Sequence, residues 1–178
     1  MKKRQTKSLA FTAILVAFGI LIPMIMPIKL IIGPASFTLA SHVPLFIALF
    51  LSLPIAIIVA LGTALGFFMA GFPMIIVLRA LSHLIFATVG ASIFQKHPLL
   101  LHKTSLTFFS ALFLNVLHGL TEFAVVYAIA VTENPNPNYF WYLLVLIGLG
   151  SLIHGIIDFY LAHSLFGVLK HRVGIHFS

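Results

Sequence analysis

The sequence predicts an all-α integral membrane protein of six transmembrane helices with both termini in the cytoplasm, and three observations predict it. Of 178 residues, 61% are hydrophobic and only 7% charged; average soluble domains carry about 45–50% apolar and about 25% charged residues. The apolar residues fall in runs long enough to cross a bilayer, which takes about 20 residues for roughly 30 Å of hydrocarbon. The charged residues lie mostly between or beyond those runs. A soluble chain of this length has no interior large enough to hide so much apolar surface.

The single domain, 1–178, divides at its turn residues. The first helix is expected over about 8–27, closed by Pro23 and Pro27. Basic residues precede it as they precede a signal peptide. The apolar stretch is longer than a signal core and no A-x-A-like site ends it, so it reads as a retained helix. A loop with Lys29, Gly33-Pro34 and Ala35-Ser36 follows. The apolar run from about 42 to 70 is too long for one span, and Ser52 and Pro54 divide it into helices at about 42–52 and 54–70. Gly71-Phe72-Pro73 marks a turn before a fourth helix at about 74–94. Gln95 to Lys103 is a polar connection, and a fifth helix runs from about 105 to 130. Thr132 to Asn138 reads as a loop, and a sixth helix covers about 140–168.

Charge bias supports the division at Pro54. Lys2, Lys3, Arg4 and Lys7 place the N-terminus inside. With two helices in 42–70, Lys96, Lys103, Lys170 and Arg172 also face the cytoplasm, and Lys29 alone lies in an outer loop. Tyr139, Trp141 and Tyr142 fit an outer aromatic belt. The net charge of +7 is thus spent at membrane surfaces, where anionic lipid attracts it, and not on nucleic acid. Cysteine is absent, which removes disulfides and thiolate metal sites.

Small residues allow helices to approach closely in lipid. Ala10, Ala13 and Ala17 line the first helix, Gly62 and Gly66 the third, and Gly148, Ser151 and Gly155 the sixth. The glycine faces suit packing within the chain; the Ala13/Ala17 face also suits a partner subunit.

Ionisable groups inside a span are costly and mark function. The fourth helix carries Arg79 and His83 four residues apart, the fifth Asn115, His118 and Glu122, the sixth His154 and Asp158. Those spacings put each set on one helical face. Arg79 and Glu122 fall in the outer half, the histidines near the middle, and Asp158 deeper. A polar pocket opening outward is expected, floored by imidazoles and covered by the loop from Lys29 to Ser41 with Thr38 and His42. Arg79 can also pair with Glu122 or Asp158. His163 reads as interfacial; His97, His102, His171 and His176 read as solvated. The i, i+4 pairs at His118/Glu122 and His154/Asp158 also suit metal ligation, which leaves a membrane-embedded metal-dependent hydrolase as the alternative. The H-E-x-x-H motif is missing, and no catalytic residue and no bound metal are expected.

The chain resembles the S components of energy-coupling factor (ECF) vitamin transporters, which are six-helix substrate-binding membrane subunits of about this size. The resemblance covers essentially the whole chain. It rests on Ala13-xxx-Ala17, the long outer first loop, the polar faces of helices four to six, and Ser41-His42-Val43-Pro44-Leu45-Phe46, similar to an H-x-P element opening the second helix. The resemblance implies a multi-pass protein of the bacterial plasma membrane, not an enzyme. Its partners would be a transmembrane T component and two ABC-type ATPases. The latter use ATP, and this chain, which has no P-loop, holds no cofactor. By that resemblance Ala13 and Ala17 are coupling residues, and Thr38, His42, Arg79, His83, Asn115, His118, Glu122 and His154 bind substrate. Arg79 suits a carboxylate, and His or Asn a ring nitrogen or hydroxyl. With its one Trp in the outer belt, the chain offers no large stacking platform. A small heteroaromatic is expected (niacin, pyridoxine or hydroxymethylpyrimidine), with riboflavin and folate too large.

Overall fold

A computed structural model describes residues 2–131 and 136–173, with side chains at 5–131, 136 and 138–170. The expected loop residues Thr132 to Pro135, and His176, lie outside the described residues, as do the side chains of Lys2, Lys3, Arg4, His171 and Arg172.

The chain runs through α1 (Lys2–Ile25), a hairpin of β1 (Lys29–Ile32) and β2 (Ala35–Thr38), α2 (Val43–Leu51), α3 (Leu53–Met69), α4 (Met74–Lys96), a 3₁₀ turn (Pro98–Leu101), α5 (Thr104–Ala130), α6 (Pro137–Leu143), a π-helical stretch (Leu144–Leu149) and α7 (Gly150–Val173). Among the described residues four helical stretches are long and apolar enough to cross a membrane: Gln5–Ile25, Met74–Lys96, Thr104–Ala130 and Asn138–Lys170. The outside is apolar: Phe18, Ile58, Leu65, Phe109, Phe113, Val145 and Ile153 are all exposed, while Arg79, His83, Asn115, His118, Glu122 and Asp158 are buried. That inversion suits a lipid solvent, and the chain is an all-α multi-pass membrane protein.

Three local features differ from the sequence expectation. The first helix starts at Lys2, not near residue 8, because nothing in the basic segment breaks a helix. Pro137 and Asn138 open α6 instead of belonging to a loop. Asn136 caps that helix by accepting from the Asn138 N–H at 2.9 Å, and proline at a first helical position loses no needed donor. The first loop is folded as an antiparallel hairpin, with Ile32 opposite Ala35 across Gly33-Pro34. Gly33 has φ +53°, which glycine adopts freely. Strand β1 is exposed, whereas Ala35 and Thr38 of β2 are buried. Ala35 joins a cluster with Val126, Ala130, Leu143 and Ile147, so the hairpin covers one end of the helices.

Helix α2 has only nine residues, about 13.5 Å of rise, and every one is buried. It contacts α1, α3, α4 and α7. Phe46 and Phe50 meet Phe86, Phe94 and Phe159 with ring centroids 5.3–5.6 Å apart, so this central helix ties the bundle together beneath the polar cluster. Ser52 separates it from α3, accepting from the Ile55 N–H at 3.4 Å, and Pro54 follows in the first turn.

The glycine faces pack within the chain. A Cβ on Gly62 or Gly66 would strike Val16 or Ile20 of α1, and one on Gly19 would strike Thr63. Gly119 of α5 is more constrained: its added Cβ would lie 2.5 Å from the backbone oxygen of Gly148, in the π-helical stretch. Gly119→Ala gains helix propensity of about 1 kcal/mol. Forcing two backbones apart costs about 1–3 kcal/mol, so the expected outcome is a lower midpoint in detergent thermal unfolding. An unchanged or raised midpoint would show that the two helices can separate freely.

Candidate functional site

Three helices present the polar residues to one another. On α5, His118 and Glu122 sit one turn apart, and on α4, Arg79 and His83 do the same. Glu122 lies at the centre of the outer group. Its Oε2 accepts from Arg79 Nη2 at 2.9 Å and from the Ser151 hydroxyl, and its Oε1 lies 2.9 Å from His83 Nε2. Arg79 Nη1 reaches the Pro34 carbonyl at 3.3 Å, which ties the hairpin turn to α4.

A second group surrounds His42, just ahead of α2. Its Nδ1 lies 3.2 Å from Asp158 Oδ2 and 3.2 Å from His154 Nε2. Ser41 Oγ is 3.1 Å from His154 Nε2. The two groups meet at the rings: His42 is 4.7 Å from His83 and 4.6 Å from His118, centroid to centroid. His118 is fully buried, and neither of its ring nitrogens has a hydrogen-bond partner; Arg79 Nε and Asn115 Oδ1 also lack one. Unsatisfied buried polar atoms are rare and call for an explanation such as a bound group.

Asp158 has a definite structural task. Its Oδ1 accepts from the Ala40 N–H at 2.8 Å and its Oδ2 from the His42 N–H at 2.9 Å. Ala40 has φ +66°, a conformation that a non-glycine residue holds only when its surroundings impose it. Asp158 therefore fixes the segment that delivers His42. In Asp158→Asn one acceptor becomes a donor facing an N–H. Ligand binding is expected to weaken by about tenfold, corresponding to one lost hydrogen bond to a charged acceptor. Calorimetry on the purified variant checks this, and unaltered affinity would separate the loop from the site.

A cavity of about 80 Å³, open to the centre of a water molecule, lies beside the cluster. Of the eight residues expected to bind substrate, Thr38, His42, Arg79, His83 and Glu122 line it. His118 and His154 sit against His42, and Asn115 is buried, its Nδ2 donating to the Ala111 carbonyl at 2.8 Å. The wall opposite the cluster was not legible from the polar pattern: Gly19, Ala60, Thr63, Phe67 and Phe72 complete it, with Ser36 and Ser41 from the first loop. Phe67 and Phe72 are stacked at 4.6 Å. The aromatic surface at the cavity is thus one pair of phenylalanine rings, with the tryptophan elsewhere. Its signal was present in Phe67 and the Gly71-Phe72-Pro73 turn, which returns one ring onto the other.

Ala13 and Ala17 lie apart from this site, exposed on α1. His163 is half-buried, its Nε2 2.8 Å from the Leu101 carbonyl, while His97 and His102 are exposed.

Compared with known proteins, the chain is 46% identical over 172 residues to the niacin transporter NiaX of Lactococcus lactis subsp. cremoris, covering 95% of this chain and 77% of that protein. No family model matches the chain. No solved structure matches it.

Proposed function

The chain belongs to the S components of energy-coupling factor vitamin transporters, and on that premise we propose that it captures niacin outside the cell for ATP-driven uptake. Vitamin transport follows from the family; the choice of niacin is carried by the cavity. That cavity is small, bears Arg79 among its polar residues and has the rings of Phe67 and Phe72 in its wall. Nicotinate has nine heavy atoms, one carboxylate and one flat ring, and each finds a counterpart. The 46% identity to a niacin transporter supports the same choice. Riboflavin and folate call for more stacking surface than Phe67 and Phe72 offer. A transporter among its relatives also favours binding over the hydrolase alternative.

In this reading the second crossing is made by the segment that leads from the hairpin together with the short α2, and the third by α3, so that with α1, α4, α5 and the α6–α7 rod there are six, with both termini inside. The hairpin then lies at the outer surface above the cavity. Thr38 and His42 close or line the site, Arg79 holds the carboxylate, and Ala13 and Ala17 dock on a transmembrane T component driven by two ATPases.

Calorimetry with niacin, nicotinamide, pyridoxine and riboflavin tests the substrate. Nicotinamide lacks the charged carboxylate, and a hydrogen bond to a charged group contributes about 1.5–3 kcal/mol. Niacin is therefore expected to bind roughly 10- to 100-fold more tightly than its amide. Equal affinity for the two, or heat from riboflavin alone, would overturn the reading.

A further inference from the structure

We propose that a divalent cation of the zinc class binds at the cavity floor among His42, His83, His118 and Glu122, and that the pyridine nitrogen of the vitamin completes its coordination. The inference rests on the niacin reading. It starts from the donors. These four residues each offer one ligand atom, and all four atoms lie within 4.8 Å of one another. Zinc bonds of about 2.0–2.1 Å place tetrahedral donors roughly 3.4 Å apart. His83 Nε2 and His118 Nε2 already lie 2.9 and 3.6 Å from Glu122 Oε1, so small side-chain movements close the shell.

Two further observations point the same way. His118 is completely buried, its Nδ1 makes no hydrogen bond and its Nε2 comes no nearer than 3.6 Å to Glu122 Oε1, and a cation between the two supplies the closer partner. His42 presents Nδ1 to Asp158 at 3.2 Å. A carboxylate on one ring nitrogen orients the other toward a metal, the usual support of a ligating histidine.

Charge supplies the functional reason. Taking the imidazoles as neutral, the site has one cation, Arg79, against two carboxylates, Glu122 and Asp158. Such a site repels an anion such as nicotinate, and burial magnifies the cost. A divalent cation reverses the sign. Three imidazoles and a carboxylate suit zinc, nickel or cobalt. His42, His83 and Glu122 also line the cavity, so a fifth position can open toward it. The expectation of no bound metal rested on a missing hydrolase motif and on i, i+4 polar pairs being common on pocket-lining helices; neither bears on donors that three separate segments bring within 4.8 Å of one another.

The experiment uses the full chain in detergent, stripped with chelator and then titrated with Co²⁺. Nitrogen-rich coordination is expected to give visible absorption, which niacin shifts. Benzoate, with a carboxylate and no ring nitrogen, is expected to leave it unshifted. Niacin affinity should fall at least tenfold in the stripped protein and return with Zn²⁺. His118→Leu and, separately, His83→Gln should lose the absorption while remaining monodisperse. Full niacin affinity in the stripped protein overturns the metal and leaves the niacin reading standing. Metal binding without any niacin binding overturns both. A shift with benzoate equal to that with niacin overturns the role of the ring nitrogen.

Discussion

Arg79→Ala is expected to reduce niacin affinity by roughly 30-fold to several thousand-fold, since truncating one member of a buried, hydrogen-bonded charge pair costs about 2–5 kcal/mol or more. Arg79 is 5% exposed and is the one cation lining the cavity among the described residues. Its guanidinium already uses Nη2 on Glu122 and Nη1 on the Pro34 carbonyl. The vitamin therefore meets an arginine held in place from both sides, with little side-chain entropy left to lose. The same pairing gives the variant a second defect. Glu122 loses its cation, and breaking a buried pair costs stability of about 3–5 kcal/mol. Thermal unfolding must accompany calorimetry. Arg79→Lys separates the two effects: it keeps the charge opposite Glu122 but loses the planar fork. This variant is expected to stay near wild-type stability and still bind about tenfold more weakly. Wild-type affinity in Arg79→Ala would leave the arginine as helix glue alone.

Ala13→Leu combined with Ala17→Leu is expected to spare niacin binding and to lower uptake by cells at least tenfold. Helix α1 has two distinct sides. Thr12, Leu15 and Gly19 are buried, with Gly19 against Thr63 of α3. Ala13 and Ala17 are exposed beside Ile14 and Phe18, so added bulk there meets nothing in this chain. A partner helix that approaches at van der Waals distance needs small residues at such a face, and two leucines would hold it off. Calorimetry on the purified double variant and labelled niacin uptake in cells are the paired measurements. Normal uptake would move the coupling surface elsewhere; lost binding would mean that α1 shapes the cavity more than its packing indicates.

Much of the cluster can be read from spacing alone. Arg79 and His83, His118 and Glu122, and His154 and Asp158 are each four residues apart, and a helix puts such pairs on one side. In a chain this apolar no ionisable face can look at lipid, so the three faces had to find one another. The helix start at Ser52 is equally local, a capping serine with a proline behind it. The task of Asp158 was hidden, because its partners Ala40 and His42 lie more than 110 residues away. The hairpin was hidden too. Leu30, Ile31 and Ile32 are apolar and exposed, so β1 lacks the alternation that announces a half-buried strand.

The sequence by itself determined the solvent, the helical class and which side chains may not touch lipid, because composition and periodicity act on each helix separately. Only the tertiary structure decided what those side chains face. It set His42 between His83, His118 and His154, gave Glu122 to Arg79, and closed the cavity with Gly19, Thr63, Phe67 and Phe72 from helices or turns without an ionisable face. The physical reason is that periodicity fixes the direction of a side chain from its own helix axis, whereas a site depends on how several axes pack. That packing was settled by close contacts such as Gly119 on Gly148 and Gly62 on Val16, which no single helix records.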